Sequence, residues 1–370
     1  MENLRVALVH DWLTGQRGGE KVLEVFSEIF PDAPIFTLFH ISGCQIEQIE
    51  NKDIHTSFLQ KFPFAKKKYR SYLPFFPLAV ELFDIQDFDL VISSSHCVAK
   101  GVIPHPDALH ICYVHSPVRY AWNQYFSYFS AKKLNLFSRL FIPPVLHYIR
   151  LWDESASHRV DHFVANSGNV ERRINKYYKR PATVIYPPVD VDFFRPGLGK
   201  KDYYLIVSAL VPYKRIDLAI AAFNRNKIPL KIVGGGPEYK ELKKMAGSNI
   251  EFIGSVSNHD LCRLYQETQA LVMPGEEDFG IAVLEAQACG TPVIAFGRGG
   301  ALETVVPQKT GLFFNKLEVN SILDALDKFR SMEFNRALIR ENAMKFSREN
   351  FKININNFLK EKWNKHTSKQ

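Results

Sequence analysis

Short apolar runs alternate along the chain with segments whose apolar residues recur every three or four positions. LRVALVH, residues 4–10, reads as a strand ended by Asp11 and a glycine-rich turn. GGEKVLEVFSEIF follows, and Val22, Val25, Phe26 and Ile29 fall on one helical face. PIFTLF, LVISSS, LHICYVH and HFVANS read as further strands. Runs apolar at nearly every position belong to parallel sheets covered on both faces. Residues 184–202, VIYPPVDVDFFRPGLGKKD, carry three prolines and two glycines and read as a linker. A second alternating series starts beyond it. Its strands are YYLIVSAL, LKIVGGG, IEFIG, ALVMP and PVIAF, and its helices RIDLAIAAFNR, PEYKELKKMA, NHDLCRLYQE and FGIAVLEAQACG. A last helix is expected over about 338–362. This βαβ cadence predicts two doubly wound α/β domains, with ligands in the cleft outside the carboxyl ends of their strands.

The chain has 370 residues, which favours two domains over one core. It is 46% hydrophobic and 23% charged, ordinary for a soluble protein, with a net charge of +8. A positive balance suits polyanions, acidic membrane surfaces or phosphorylated substrates. The base is concentrated in two aromatic-rich segments. In residues 61–77, Lys66, Lys67, Lys68 and Arg70 stand beside Phe75 and Phe76. In residues 131–152, Lys132, Lys133 and Arg139 stand beside Phe137 and Phe141. Such mixtures suit a peripheral site on anionic lipid, a nucleic-acid surface, or a solvated basic face beside core aromatics. Five scattered cysteines without a CxxC pair read as core residues in a reducing compartment. MENLRVALVH reads as a strand rather than a targeting segment, and no run of about 18 apolar residues is present to span a membrane. The expected location is the cytoplasm, peripherally at the inner face of the plasma membrane.

The stretch from Pro274 to Gly300 carries the chemistry. Glu285, separated from Glu277 by seven residues, sits inside an apolar helical pattern, where an unpaired carboxylate is costly. A ribose diol or a buried Arg would each supply a partner. Glu276, Glu277 and Asp278 precede the helix, where carboxylates are favourable and N–H groups suit phosphate. Gly15, Gly18 and Gly19 lie between a strand and a helix, as a tight turn or as a close backbone approach to an anion. His115 closes a strand, as a structural or a ligand-facing residue. Asp190 and Asp192 form a D-x-D within the linker, a poor place for a metal. No His/Cys cluster has zinc spacing, and no P-loop is present.

Glu277 and Glu285 with FGIAVLEAQACGTPVIA resemble the signature of retaining glycosyltransferases of family 4, which have the GT-B fold. HDWLTGQRGGEKVLEVF, LVISSSHCVAKGV, HICYVHSPVRYAWN, VANSGNVERRINKYY, VIYPPVD, LVPYKRIDLAI and GGALETVVPQKTG are similar to the branch that adds mannose in polysaccharide, O-antigen or lipopolysaccharide assembly. The resemblance implies an α/β GT-B architecture of two facing Rossmann-like domains with parallel sheets and an interdomain cleft. An acceptor domain would cover residues 1–184, completed by a returning helix at 350–370. A nucleotide-sugar donor domain would cover 185–349. Glu285 would grip the ribose, Glu277 would contact the transferred sugar, and Lys214 would pair with the diphosphate. The backbone at Phe279, Gly280 and Ile281 would cradle sugar and diphosphate. Gly18, Gly19 and His115 would approach the donor from the other domain. Arg119, Tyr120 and Trp122 would line the acceptor side. Relatives place an Arg shortly before the Lys; here Ala209 stands there, with Arg215 or Arg298 as substitutes.

The implied activity moves a hexose, foremost mannose from GDP-mannose, to a lipid-linked or oligosaccharide acceptor, with no cofactor, no metal and no nucleic-acid partner. A UDP-sugar donor, or a sugar-nucleotide epimerase of the same fold, are the alternatives. A nicotinamide oxidoreductase lacks its G-x-G-x-x-G, and a nucleic-acid-binding protein lacks a recognition motif.

Overall fold

Seven strands of the first half pair into one parallel sheet: β1 (Val6–His10), β2 (Ile35–Thr37), β3 (Ile54–Thr56), β4 (Leu90–Ser95), β5 (Leu109–Val114), β6 (His162–Ala165) and β7 (Ala182–Val184). Their order is β3-β2-β1-β4-β5-β6-β7. Six strands of the second half form another: β8 (Tyr204–Val207), β9 (Leu230–Val233), β10 (Ile250–Gly254), β11 (Leu271–Met273), β12 (Val293–Phe296) and β13 (Gly311–Phe314). Their order is β10-β9-β8-β11-β12-β13, also parallel throughout. This is a computed structural model, and it describes residues 4–16, 18–129, 136–197 and 199–368. The chain divides into two compact units, Met1–Pro188 with Phe351–Gln370, and Val189–Asn350.

In the first unit Val22, Val25 and Phe26 of the Gly18–Ile29 helix bury against the sheet, as the helical pattern predicts, together with Leu23, while Ile29 is only partly buried. Phe351, Ile355, Phe358 and Leu359 of the final helix join the same core. The ring of Phe351 lies 6.0 Å from Phe26 and 5.8 Å from Tyr113. The segment after residue 135, read from sequence as basic and aromatic, is a helix, Leu136–Ser157. In the second unit, both faces of the sheet carry apolar clusters, one around Leu205, Val283 and Leu284, the other around Ile206, Phe223 and Ile294. Among the described residues no helix is long and apolar enough to cross a membrane.

Two differences from the sequence reading have physical causes. β3 and β7 are three-residue edge strands, IHT and ATV, with partly or fully exposed side chains, so no apolar run marks them. The single helix expected over 338–362 is instead two, Arg336–Met344 and Arg348–Thr367. The break lets Phe346 accept the N–H of Val189 at 2.9 Å, and neither Gly nor Pro announces it.

Candidate active site

In the second unit the strand order reverses between β8 and β11, and such switch points leave a crevice at the strands' carboxyl ends. Lys214 lies in the 3₁₀ turn Pro212–Lys214 after β8 and is 9% exposed. Glu277 lies in the loop after β11. The Lys214 ammonium donates to Glu277 Oε1, and both side chains are largely buried. The GRGG segment holds this loop from behind. Gly300 N–H donates to the Glu277 carbonyl at 2.9 Å. Gly299 has φ +65°, and a Cβ there would stand 2.3 Å from the same carbonyl oxygen, so a side chain would displace the loop. Arg298 places its guanidinium 5.8 Å from the Phe296 ring. Arg215 pairs with Asp217 at 3.0 Å, and Ala209 accepts a backbone bond from Val211.

The Ile281–Ala288 helix starts at Gly280, with φ 93°, directly after buried Phe279. The first N–H groups of a helix have no acceptor within it, and they mark its positive end. Phe279, Gly280 and Ile281 thus form the entry to this helix, and a Cβ on Gly280 would stand 3.8 Å from Glu277 Cβ. Glu285 lies one turn further in, 4% exposed. The sequence offers a ribose diol or a buried Arg as its partner, and the structure adds a protein group that neither reading includes. Tyr265, fully buried on the Asn258–Glu267 helix, donates its hydroxyl to Glu285 Oε2 at 3.0 Å. Burial, then the Glu285 charge, raise the Tyr265 phenol well above its ordinary pKa, so it stays a donor. The sequence reading missed Tyr265 as an ordinary core aromatic. The usable signal was that it is the only hydroxyl in NHDLCRLYQE.

The first unit has its own switch point, between β1 and β4. His10 ends β1, Ser94 lies near the end of β4, and His115 follows β5. Ser94 Oγ lies 3.1 Å from His10 Nδ1 and 2.8 Å from His115 Nε2. A Cβ on Gly19 would stand 3.3 Å from His10 Cε1 and 3.5 Å from His115 Nε2, so Gly19, in the first turn of the Gly18–Ile29 helix, packs directly on both rings. Burial, reinforced by His96, lowers His10 to about 3, which keeps it neutral. Asp11, read only as a strand end, accepts the N–H groups of His96, Cys97, Val98 and Ala99 at 2.6–2.8 Å and fixes the turn beyond β4.

The three residues expected on the acceptor side follow this turn. Arg119 is partly buried. Tyr120 places its hydroxyl 2.9 Å from Cys97 Sγ. Trp122 donates to Asp153 Oδ2 at 2.7 Å and stacks on Tyr177 at 4.6 Å. Asp153 also accepts from Lys100 and Tyr178, so the polar end of Trp122 faces a buried network. In the linker, Asp190 accepts the Phe193 N–H at 2.9 Å, a turn contact. Among the described residues no cluster of His, Cys, Asp and Glu is arranged to hold a metal ion.

Comparison with known proteins bears on the family and the fold. Residues 40–193 match the family model described as glycosyltransferase family 4, and residues 189–346 match glycosyl transferases group 1. An uncharacterized glycosyltransferase of Methanocaldococcus jannaschii is 28% identical over 205 residues, 54% of this chain and 58% of that protein. A GDP-mannose-dependent alpha-(1-6)-phosphatidylinositol monomannoside mannosyltransferase of Mycolicibacterium smegmatis is 34% identical over 170 residues, 38% of this chain and 44% of that one. The matches thus span about half the length of these curated relatives. Two solved structures share the fold. Anabaena HepE, solved with UDP and glucose, has a TM-score of 0.71 at 16% identity, covering 97% of this chain and all of its own. Sucrose-phosphate synthase of Thermosynechococcus elongatus has 0.72 at 17% identity, covering 98% and 99%. The class is that of glycosyltransferases with two parallel-sheet, Rossmann-like domains, the GT-B fold. Within that class the chain belongs to the family-4 glycosyltransferases.

Proposed function

We propose that the chain transfers a hexosyl group from a sugar nucleotide to a saccharide acceptor, with retention of anomeric configuration. The observation that carries this reading is the Lys214–Glu277 pair at the switch point of the second sheet, beside a helix N-terminus. Departing diphosphate accumulates negative charge as the glycosidic bond breaks. Lys214 and the first N–H groups of the Ile281–Ala288 helix oppose that charge, as electrostatic stabilisation requires. Glu277 exchanges Lys214 for hydroxyls of the transferred sugar, and Glu285 accepts from the ribose. Retention then follows front-face attack, in which the leaving phosphate takes the acceptor proton. Lys214 and the helix end take the place of a metal ion.

Mannose from GDP-mannose is the favoured donor, supported by the mannosyltransferase name of the mycobacterial relative. A UDP-sugar is the second reading, supported by HepE having been solved with UDP. The acceptor is lipid-linked, in assembly of a cell-surface polysaccharide, and the protein works peripherally on the cytoplasmic membrane face. Exposed Phe64, Phe126, Leu140 and Phe141 in the first unit, near in sequence to exposed Lys67, Lys68, Arg70 and Arg139, support this location. The test is incubation with GDP-mannose, UDP-glucose and UDP-galactose and lipid-linked acceptors, read by mass spectrometry. A hexose added to an acceptor supports the reading. Epimerised nucleotide without transfer, or no reaction with any pair, overturns it.

A further inference from the structure

A carboxylate that grips a ribose must itself be held, because a glutamate side chain turns about three bonds. Glu285 accepts a hydrogen bond of good geometry from the Tyr265 hydroxyl, at 3.0 Å. The phenol is in turn fixed. Tyr265 is fully buried, its ring meets Phe194 edge-on at 5.8 Å, and its carbonyl accepts the Thr291 hydroxyl at 2.6 Å. Two helices, Asn258–Glu267 and Ile281–Ala288, thus carry the donor and the acceptor of one buried bond.

We propose that Tyr265 is the positioning residue for Glu285, and that it thereby sets how strongly the site prefers ribonucleotides over deoxynucleotides. The inference rests on the proposed role of Glu285 as the ribose acceptor. A carboxylate has about four lone-pair sites, so a phenol on Oε2 leaves capacity for a diol. What the phenol adds is direction. With Oε2 pinned, the carboxylate plane is set before the nucleotide arrives, and the ligand spends no binding energy in ordering it. A bond that only staples two helices would instead affect every ligand and the fold alike. Ribose discrimination separates the two roles, because it compares two ligands on one protein.

The experiment measures dissociation constants for GDP and UDP and for their 2′-deoxy and 3′-deoxy forms. The proteins are wild type, Tyr265→Phe and Glu285→Gln, with the melting temperature of each recorded. Wild type is expected to prefer the ribonucleotide, and Glu285→Gln to lose that preference. Tyr265→Phe is expected to lower the preference roughly five- to tenfold, the value of one hydrogen bond, while deoxynucleotide binding changes little. If Tyr265→Phe does not fold, 3,5-difluorotyrosine at position 265 keeps the ring and alters the donor, and the preference must still move. A wild-type preference that survives intact in Tyr265→Phe or the fluorinated protein overturns the positioning role alone. A wild type without any ribose preference overturns the reading of Glu285, and this inference with it.

Discussion

Buried histidines give the clearest residue-scale prediction. His10 is lowered to about 3 and His110 to about 4, in both cases chiefly by burial. Both are therefore neutral in the folded chain, whereas in the unfolded chain they take a proton near pH 6.5. Below that pH the unfolded state binds more protons, so stability falls as pH falls. Each histidine contributes a slope of about 1.4 kcal/mol per pH unit, ending near pH 4 for His110 and near pH 3 for His10. Urea denaturation from pH 7 to pH 4.5 should give a shallower slope for His110→Gln than for wild type; equal slopes would refute the assignment. The sequence exposed some of this level and hid the rest. Glu285 stood out because a carboxylate in an apolar helix violates burial rules. Tyr265 broke no rule, and only its standing as the sole hydroxyl in NHDLCRLYQE marked it. His115 was visible as a strand-ending residue, but its link through Ser94 to His10 depends on strands that are distant in sequence.

At the scale of elements, the site depends on two loops pressed together. The Glu277 loop and the GRGG segment share a bridge between Glu277 and Gly299 and the bond from Gly300 N–H to Glu277 O. Gly299→Ala would put a methyl group against that carbonyl and a side chain at φ +65°. It should cost about 1–3 kcal/mol of stability and depress transfer more than Arg298→Ala does. Denaturation and initial rates of the two variants check this; a Gly299→Ala protein with wild-type stability and rate would contradict it. Most strands with continuous apolar runs were legible, since burial on both faces leaves that trace, although β13, the short GLFF, was passed over. β3 and β7 were not, because edge strands need no such run. The break near Phe346 was hidden for another reason: it answers to Val189, more than 150 residues away in sequence.

At the scale of the whole molecule, the positive balance and the aromatic segments bear on location. Part of that reading changes. Phe76 is not available to lipid, because it is buried, with its ring 6.0 Å from Trp12 and 5.8 Å from Phe39. Lys132 and Lys133, and the side chains of Lys66 and Phe137, lie outside the described residues. Phe64 and Phe75 remain outward, with exposed Lys67, Lys68 and Arg70. Each cation near an anionic surface contributes about 1 kcal/mol, and salt weakens it. Wild type should float with anionic liposomes and not with neutral ones, and a triple change of Lys67, Lys68 and Arg70 to Glu should abolish flotation. Equal recovery with both vesicles, or an unaffected triple variant, would leave a solvated basic face. The two matched family segments reach from residue 40 to residue 346, so the family was legible across both units. The donor and the acceptor were not, since motif residues bind what all members share.

The central claim is that the crevice of the second sheet holds a nucleoside diphosphate through Lys214 and without a metal. Calorimetric titration of GDP and UDP into wild type and Lys214→Ala, in excess EDTA, tests it most directly. The account predicts that wild type binds at least one of the two in EDTA. It further predicts that Lys214→Ala, folded by circular dichroism, binds it at least tenfold more weakly, as loss of a charged hydrogen bond of about 1.5–3 kcal/mol requires. Binding that appears only when Mg²⁺ or Mn²⁺ is restored, or equal affinity in the two proteins, would contradict it.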